Sequence, residues 1–157
     1  MQSRPVLHRL NHLLALVHPA LYKSLELCQA AVHQSSRDED RYVCELWESL
    51  FHGIAIISNG STRAHRDTKG HLPWYDMLVS IGSVDSLTLN VPELNLKLRY
   101  DPRTVVVIAG HVLSHSVERW EAGERACWAF FLRKNILDRF DVACPGWCRE
   151  DQFRTSV

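Results

Sequence analysis

The sequence predicts an α+β fold, in which apolar helices precede a sandwich or barrel of eight short strands. Apolar residues recur at helical spacing near the N-terminus, and short β-branched runs separated by turn residues follow from Gly53. The chain has 157 residues, of which 46% are hydrophobic, and this provides for one packed core rather than two. We therefore expect a single domain over residues 1–157.

The N-terminal helices are predicted from apolar residues that recur at helical spacing from Leu10 to about Gln34. Within this stretch, Pro19 marks either a break or the first turn of a second helix. The charged run at residues 35–40 is typical of a loop. A further short helix is expected over Tyr42–Leu50, where apolar side chains again fall on one side.

The strands are predicted from β-branched runs bounded by Gly, Pro, Asn and Asp. The first candidate is Gly53–Ser58, which ends at an Asn-Gly turn. The remaining candidates are Thr62–His65, Asp76–Ile81, Ser86–Asn90, Leu96–Tyr100, Thr104–Ala109, Ser114–Arg119 and Arg125–Leu132. Lys134–Phe140 is predicted to form a closing helix, and no clear pattern follows Cys144.

Composition excludes several classes of protein. Zero net charge together with five Trp, five Phe and four Tyr excludes a disordered chain, and gives no general attraction for nucleic acid. No apolar run reaches the roughly 20 residues that span a bilayer, so no membrane partner is expected. An odd count of five cysteines and no signal-peptide pattern favour reduced thiols in the cytoplasm or nucleus rather than a secreted protein. Cys144 and Cys148 flank a turn without two further zinc ligands nearby, so we interpret them as ordinary thiols.

His65 and Asp67 form the first part of a candidate metal site. Residues two apart on an extended strand point to the same face, so the imidazole and the carboxylate can converge on one ion. A second histidine would complete a triad of two histidines and one carboxylate, which suits Fe(II) oxygenases because three coordination positions remain open. The alternative for this His-x-Asp pair is a solvent-facing loop.

His115 is the candidate for that second histidine. Arg125 follows it after ten positions, and a short hairpin between two strands would place both side chains on one inner face. A guanidinium there can bind the far carboxylate of 2-oxoglutarate with two parallel hydrogen bonds. A structural Asp or Glu partner is the alternative for Arg125. His111 competes with His115 for the metal, but we favour His115 because its spacing to Arg125 fits and a strand pattern continues after it.

Several other residues allow two interpretations. Asn59 could reach the co-substrate through its amide, or could be a turn residue that tolerates positive φ. Trp74 and Tyr75 could stack on an extruded base, although an aromatic pair at the start of a strand is more often core. A group of cationic residues could contact phosphates, although interspersed acids favour a mixed solvated surface. These residues are Arg63, Arg66, Lys69, Lys97, Arg99 and Arg103.

The ordered motifs also resemble a known family, the Tet/JBP branch of the 2-oxoglutarate- and Fe(II)-dependent dioxygenases. The chain is most similar to the group found in basidiomycete fungi beside transposons. The resemblance covers roughly Gly53 to Val142. The matching stretches are Ile57-Ser58-Asn59, His65-Arg66-Asp67-Thr68-Lys69-Gly70, Trp74-Tyr75-Asp76-Met77-Leu78, Leu98-Arg99-Tyr100-Asp101-Pro102 and Gly123-Glu124-Arg125-Ala126-Cys127.

The resemblance implies a double-stranded β-helix, a jelly-roll-like core over residues 53–132. Residues 1–52 would be supporting helices packed on its outside, and residues 133–157 a short C-terminal helix and tail. It also implies Fe(II) held by His65, Asp67 and His115, and 2-oxoglutarate bound by Arg125 with Asn59. The expected reaction is oxidation of a methylated base in DNA, such as 5-methylcytosine, with molecular oxygen. The expected role is DNA demethylation in the nucleus. We expect a monomer.

Two other functions remain open. The same iron and 2-oxoglutarate chemistry could act on a protein side chain or a small molecule, because the motif specifies the cofactors and not the substrate. Alternatively, the chain could be a degenerate, non-catalytic relative that binds DNA. The intact set of His65, Asp67, His115 and Arg125 argues against the degenerate relative.

Overall fold

A computed structural model describes residues 4–154 of the chain. The chain divides into two compact units. The first, here called the helical unit, comprises Met1–His52 and Arg133–Val157, and the second, the sheet unit, is Gly53–Leu132. That these units make up one dioxygenase domain stays a prediction.

Within residues 4–52 and 133–154, the helical unit contains five helices: α1 (Arg4–Val17), α2 (Pro19–His33), α3 (Asp38–Leu46), α4 (Lys134–Arg139) and α5 (Asp151–Arg154). Pro19 is the first residue of α2, as the second of its two interpretations expected. The helix begins there because the Nδ1 atom of fully buried His18 accepts a hydrogen bond from the Leu21 amide at 3.3 Å. Among the described residues, no helix is both long and apolar enough to cross a membrane.

The predicted loop at residues 35–40 and the predicted helix Tyr42–Leu50 were wrong in their bounds. The third helix begins at Asp38 rather than Tyr42 and ends at Leu46 rather than Leu50, so part of the expected loop is helical. The physical reason lies in its first turn, where Asp38, Glu39 and Asp40 stabilise the partial positive charge of a helix N-terminus. The short helix α5 was not predicted, because four residues are too few to show a periodic pattern.

The sheet unit contains eight strands, as predicted. They are β1 (Gly53–Ser58), β2 (Thr62–His65), β3 (Asp76–Gly82), β4 (Thr88–Val91), β5 (Leu96–Arg99), β6 (Val105–Ile108), β7 (His115–Val117) and β8 (Arg125–Phe131). A 3-10 turn, Pro92–Leu94, joins β4 to β5. The bounds of β1 and β2 are as expected, and the others differ at their ends by one or two residues.

The strands form two four-stranded antiparallel sheets. Their orders are β1-β8-β3-β6 and β2-β7-β4-β5, so β7 and β8 lie in different sheets although they follow each other in the chain. Apart from β4 and β5, which pair with each other in the second sheet, successive strands alternate between the sheets, which is the jelly-roll arrangement. The α+β class and the double-stranded β-helix core are confirmed.

A shared apolar core fills the space between the two sheets. It includes Leu78 and Ile108 from one sheet, and Leu89 and Val117 from the other. Leu89 and Tyr100 are fully buried. Cys127 on β8 also belongs to this core, and Arg125, two positions earlier on the same strand, therefore points to the inner side of its sheet.

Candidate active site

Three of the predicted site residues meet in the sheet unit. One potential ligand atom from each of His65, Asp67 and His115 lies within 4.8 Å of the other two. The Nε2 atom of His65 is 3.7 Å from Oδ1 of Asp67, and Nε2 of His115 is 3.6 Å from Oδ2 of the same carboxylate. Two imidazoles and a carboxylate at such spacing can converge on one divalent cation. In the part of the chain that the structure describes, no other group of three such side chains is this close.

His65 and Asp67 do not lie on one extended strand, contrary to the expectation from strand alternation. Strand β2 ends at His65, and Asp67 lies in the following loop. The backbone holds that loop, because the Asp67 amide donates to Gly110 O at 2.9 Å and the Gly70 amide donates to Asp67 O at 2.9 Å. The carboxylate and the imidazole therefore converge through a turn rather than through strand alternation.

His115 lies directly opposite His65 in the pairing of β2 with β7, and the ring centroids are 4.4 Å apart. Its side chain is buried, with 4% of the residue exposed. Burial lowers the pKa of His115, and a hydrogen bond to the Leu113 carbonyl opposes this effect. The neutral imidazole is the form that binds a metal.

His111, the competing histidine, is outside the cluster. It lies in the turn before β7, where its Nδ1 atom is buried and has no hydrogen-bond partner. The structure thus places His115 and not His111 beside Asp67.

Arg125 is a buried cation at the start of β8, with 3% of the residue exposed. Its Nη1 donates to Gly60 O at 2.8 Å, and its Nε has no hydrogen-bond partner. Among the described residues, no aspartate or glutamate makes an ion pair with this guanidinium. The structure therefore does not support the alternative in which a structural Asp or Glu pairs with Arg125.

The neighbours of Arg125 are aromatic or neutral. The guanidinium carbon lies 5.8 Å from the ring centroids of both Tyr100 and Trp120. The Tyr100 hydroxyl is 3.4 Å from Cys127 Sγ. Burial raises the pKa of both Tyr100 and Cys127, which keeps the phenol and the thiol uncharged. Neither group neutralises the cation, so an exogenous carboxylate would find an available charged donor here.

The hairpin expected to bring His115 and Arg125 to one face does not exist. The two residues lie on different sheets that face each other across the core. Both are buried, so the shared inner position that was expected arises from two facing sheets rather than from one paired strand.

Asn59 fulfils its turn interpretation, with φ of 50°. Its Oδ1 accepts a hydrogen bond from the Arg125 amide at 2.9 Å, and its own amide donates to Arg125 O at 2.8 Å. Asn59 thereby holds the backbone that carries the guanidinium. Contact between its amide group and a co-substrate stays a prediction.

Gly110 and Asp76 were not singled out from the sequence. A Cβ atom on Gly110 would lie 2.6 Å from Asp67 Oδ2 and 2.7 Å from Asp76 Oδ2. The two carboxylates thus approach the same glycine, and Asp76 is buried, with 7% exposed. The glycine itself could have been noticed in the sequence, but only the folded structure shows that both carboxylates crowd against it.

The surroundings of Trp74 and of three candidate phosphate-binding cations favour the non-functional interpretation of each. Trp74 is 3% exposed, which fits the core interpretation. Three of the candidate phosphate-binding cations have acidic neighbours, because Arg66 pairs with Glu93, Lys97 with Glu118 and Arg99 with Asp101. The mixed surface expected as the alternative is present at these positions.

Comparison with known proteins agrees with this arrangement. The family model Tet_JBP, described as the oxygenase domain of the 2OGFeDO superfamily, matches residues 2–134. A search of curated protein sequences finds no match. Among solved structures, NgTET1 in complex with 5mC DNA is similar with a TM-score of 0.54 and 16% identity, over 90% of this chain and 58% of that one. The chain thus spans a little over half of that relative, and the likeness is one of fold.

Proposed function

Because the chain belongs to the Tet/JBP family of 2-oxoglutarate- and Fe(II)-dependent dioxygenases, we propose that it hydroxylates the methyl group of a methylated base in DNA, such as 5-methylcytosine. The cofactors of this superfamily are Fe(II) and 2-oxoglutarate. The observation that carries the proposal is the set of three ligand atoms within 4.8 Å of one another, in the same unit as a buried arginine without an acidic partner. The two histidines and the aspartate fit a divalent metal, and the arginine fits a carboxylate of a dicarboxylate.

The residues of the chain then have distinct tasks. When bound, Fe(II) and 2-oxoglutarate supply the oxygen activation, and the reaction yields succinate, carbon dioxide and one hydroxyl group on the methyl carbon. His65, Asp67 and His115 hold the metal and leave positions open. Arg125 binds the far carboxylate of the co-substrate. Tyr100, which is fully buried, excludes water from the guanidinium and strengthens its electrostatic attraction.

Methylated DNA as the substrate class is supported by the family and by the likeness of fold to NgTET1, whose solved structure contains 5mC DNA. We propose that the target base leaves the duplex, since a stacked base cannot reach a metal between two sheets. We also propose a nuclear or cytoplasmic location, because the chain would meet DNA there under reducing conditions.

The direct test is incubation of the protein with Fe(II), 2-oxoglutarate, oxygen and duplex DNA that contains 5-methylcytosine, followed by mass spectrometry of the nucleosides. We expect hydroxymethylcytosine together with succinate, and neither product from Asp67→Ala. Asp85→Ala is the matched control, because Asp85 is an exposed acid of the same unit outside the ligand cluster. Turnover by Asp67→Ala at the wild-type rate would exclude the proposed metal site.

A neutral chain also suits a protein or small-molecule substrate, and the salt dependence of DNA binding distinguishes these possibilities. In the sheet unit, four exposed cations have no acidic partner among the described residues: Arg63, Lys69, Arg103 and Arg119. Four phosphate contacts would give log K against log salt a slope of about −3.6. We expect a slope between about −2 and −4. A slope near zero, or no DNA binding beside measurable iron binding, would favour the other substrate classes.

A further inference from the structure

We infer that Glu93 is a positioning residue for the metal site, which joins the two chain segments that carry the ligands. This inference rests on the proposed function, because it assigns a role to Glu93 only through His65, Asp67 and His115. Glu93 lies on a third segment, the 3-10 turn Pro92–Leu94, and is not one of the three clustered ligand residues.

The three ligands come from two chain segments that are joined by only a short strand pairing. His65 is the last residue of β2 and Asp67 lies in the loop that follows it. His115 is the first residue of β7, which has only three residues. The two strands pair at Thr62 with Val117 and at His65 with His115, and the register shifts between these two pairs. So short and irregular a ladder fixes the ligand positions weakly, because few backbone hydrogen bonds define it.

Glu93 contacts both segments beside the ligands. Its Oε1 accepts a hydrogen bond from Arg66 Nη2 at 2.8 Å, and Arg66 stands between His65 and Asp67 in the chain. Both of its carboxylate oxygens lie 3.1 Å from the amide nitrogen of Ser114, the residue before His115. One carboxylate thus receives donors from the residues that adjoin all three candidate ligands.

The contribution of this bridge lies in orientation rather than in stability. The side chains of Arg66 and Glu93 are 53% and 32% exposed, and ion pairs at such exposure add little to folding. Groups that orient metal ligands from outside the coordination sphere, in contrast, commonly change metal affinity 10- to 100-fold. The amide of Ser114 strengthens the case, because a hydrogen bond from a backbone amide to a carboxylate fixes the chain at the start of β7.

Glu118 supplies a matched control in the same sheet. Its carboxylate accepts from Asn90 Nδ2 at 2.8 Å and lies 3.6 Å from Lys97 Nζ, so it also links strands through one amide and one cation. It differs from Glu93 in that neither partner adjoins a ligand. Replacement of either glutamate by glutamine removes one charge and retains similar volume.

The test is titration of the metal-free protein with Mn(II), a spectroscopic substitute for Fe(II), followed by electron paramagnetic resonance. We expect Glu93→Gln to bind Mn(II) about 10-fold more weakly than the wild type and to change the line shape of the bound ion. Its thermal unfolding midpoint without metal should be unchanged. Glu118→Gln should behave as the wild type in all three measurements.

A double variant tests whether Glu93 acts through Arg66. If it does, Arg66→Gln combined with Glu93→Gln will lose less affinity than the sum of the two single losses. Wild-type affinity and line shape in Glu93→Gln, or an equal loss in Glu118→Gln, would overturn the inference while the metal site stands. If the wild type itself binds no Mn(II), the proposed function fails, and the inference fails with it.

Discussion

Replacement of Arg125 by methionine separates a role in co-substrate binding from a role in folding. Arg125 is 3% exposed, donates one hydrogen bond to Gly60 O, and has an Nε without a partner. If it binds 2-oxoglutarate, its removal leaves a carboxylate of the co-substrate without its charged donor. The loss of one partner from a buried charged pair costs about 2–5 kcal/mol, so affinity should fall between about 30-fold and about 4,000-fold.

The stability of the metal-free, ligand-free protein should not fall with the co-substrate affinity. A buried cation without an anionic partner is unfavourable, and an apolar side chain of similar volume is often neutral or stabilising by about 1–4 kcal/mol. Methionine would lose the hydrogen bond to Gly60, which contributes about 1–3 kcal/mol because its donor is charged. We therefore expect the free energy of unfolding of Arg125→Met to be equal to that of the wild type or slightly higher.

Two measurements complete the experiment. Isothermal titration of 2-oxoglutarate into Fe(II)-loaded protein under nitrogen gives the affinity, and urea denaturation of the apo protein gives the free energy of unfolding. Arg99→Met is the control, since Arg99 is 81% exposed and pairs with Asp101 in the same unit. Unchanged co-substrate affinity, or a loss of several kcal/mol in apo stability, would refute the reasoning and make Arg125 a structural residue.

Two further predictions concern sterics and pH. Gly110→Ala should weaken Mn(II) binding at least about 10-fold, because the new Cβ would lie 2.6 Å from Asp67 Oδ2. Gly146→Ala is the control and should bind Mn(II) as the wild type does, because no atom lies within 4 Å of its Cβ. Equal affinities of the two variants would contradict this prediction. Burial lowers the pKa of His52 from 6.5 to about 4. As the pH falls from 6.5 to about 4, the unfolded chain therefore binds a proton at His52 that the folded chain does not. The free energy of unfolding of the apo protein should fall by about 3 kcal/mol over this range. His52→Asn retains an acceptor for the Arg133 amide, and denaturation at several pH values should show a shallower loss; an identical loss would exclude His52 as its origin.

The strands of the sheet unit were predictable because each is a local pattern. Gly53–Ser58 and Thr62–His65 have the expected bounds, since β-branched runs and turn residues mark both ends. The order of strands in each sheet was not predictable, because alternation shows that a strand has an inner face but not which strand lies beside it. This is why the sequence placed β7 and β8 in a hairpin, whereas the chain crosses from one sheet to the other.

The ligand cluster shows the same division between residue type and geometry. His65, Asp67 and His115 were recognisable by type and order, and the structure brings their ligand atoms together. The loop position of Asp67 was missed because the strand was assumed to continue. Glu93 was missed for a different reason. Its partners lie 27 and 21 positions away in the sequence, and such a contact leaves no periodic signal in one chain.

Arg66 and Arg125 show how burial, rather than residue type, separates a surface pair from a binding group. Arg66 is half exposed and has Glu93 as a partner, so water and the carboxylate both solvate its charge. Arg125 is buried and has no anion among the described residues, and this is unfavourable in a domain whose total stability is about 5–15 kcal/mol. An anion that binds there removes this cost, so co-substrate binding and folding are linked. 2-Oxoglutarate at 100 times its Kd should stabilise the metal-loaded protein by about 2.7 kcal/mol, and should stabilise Arg125→Met at the same concentration far less.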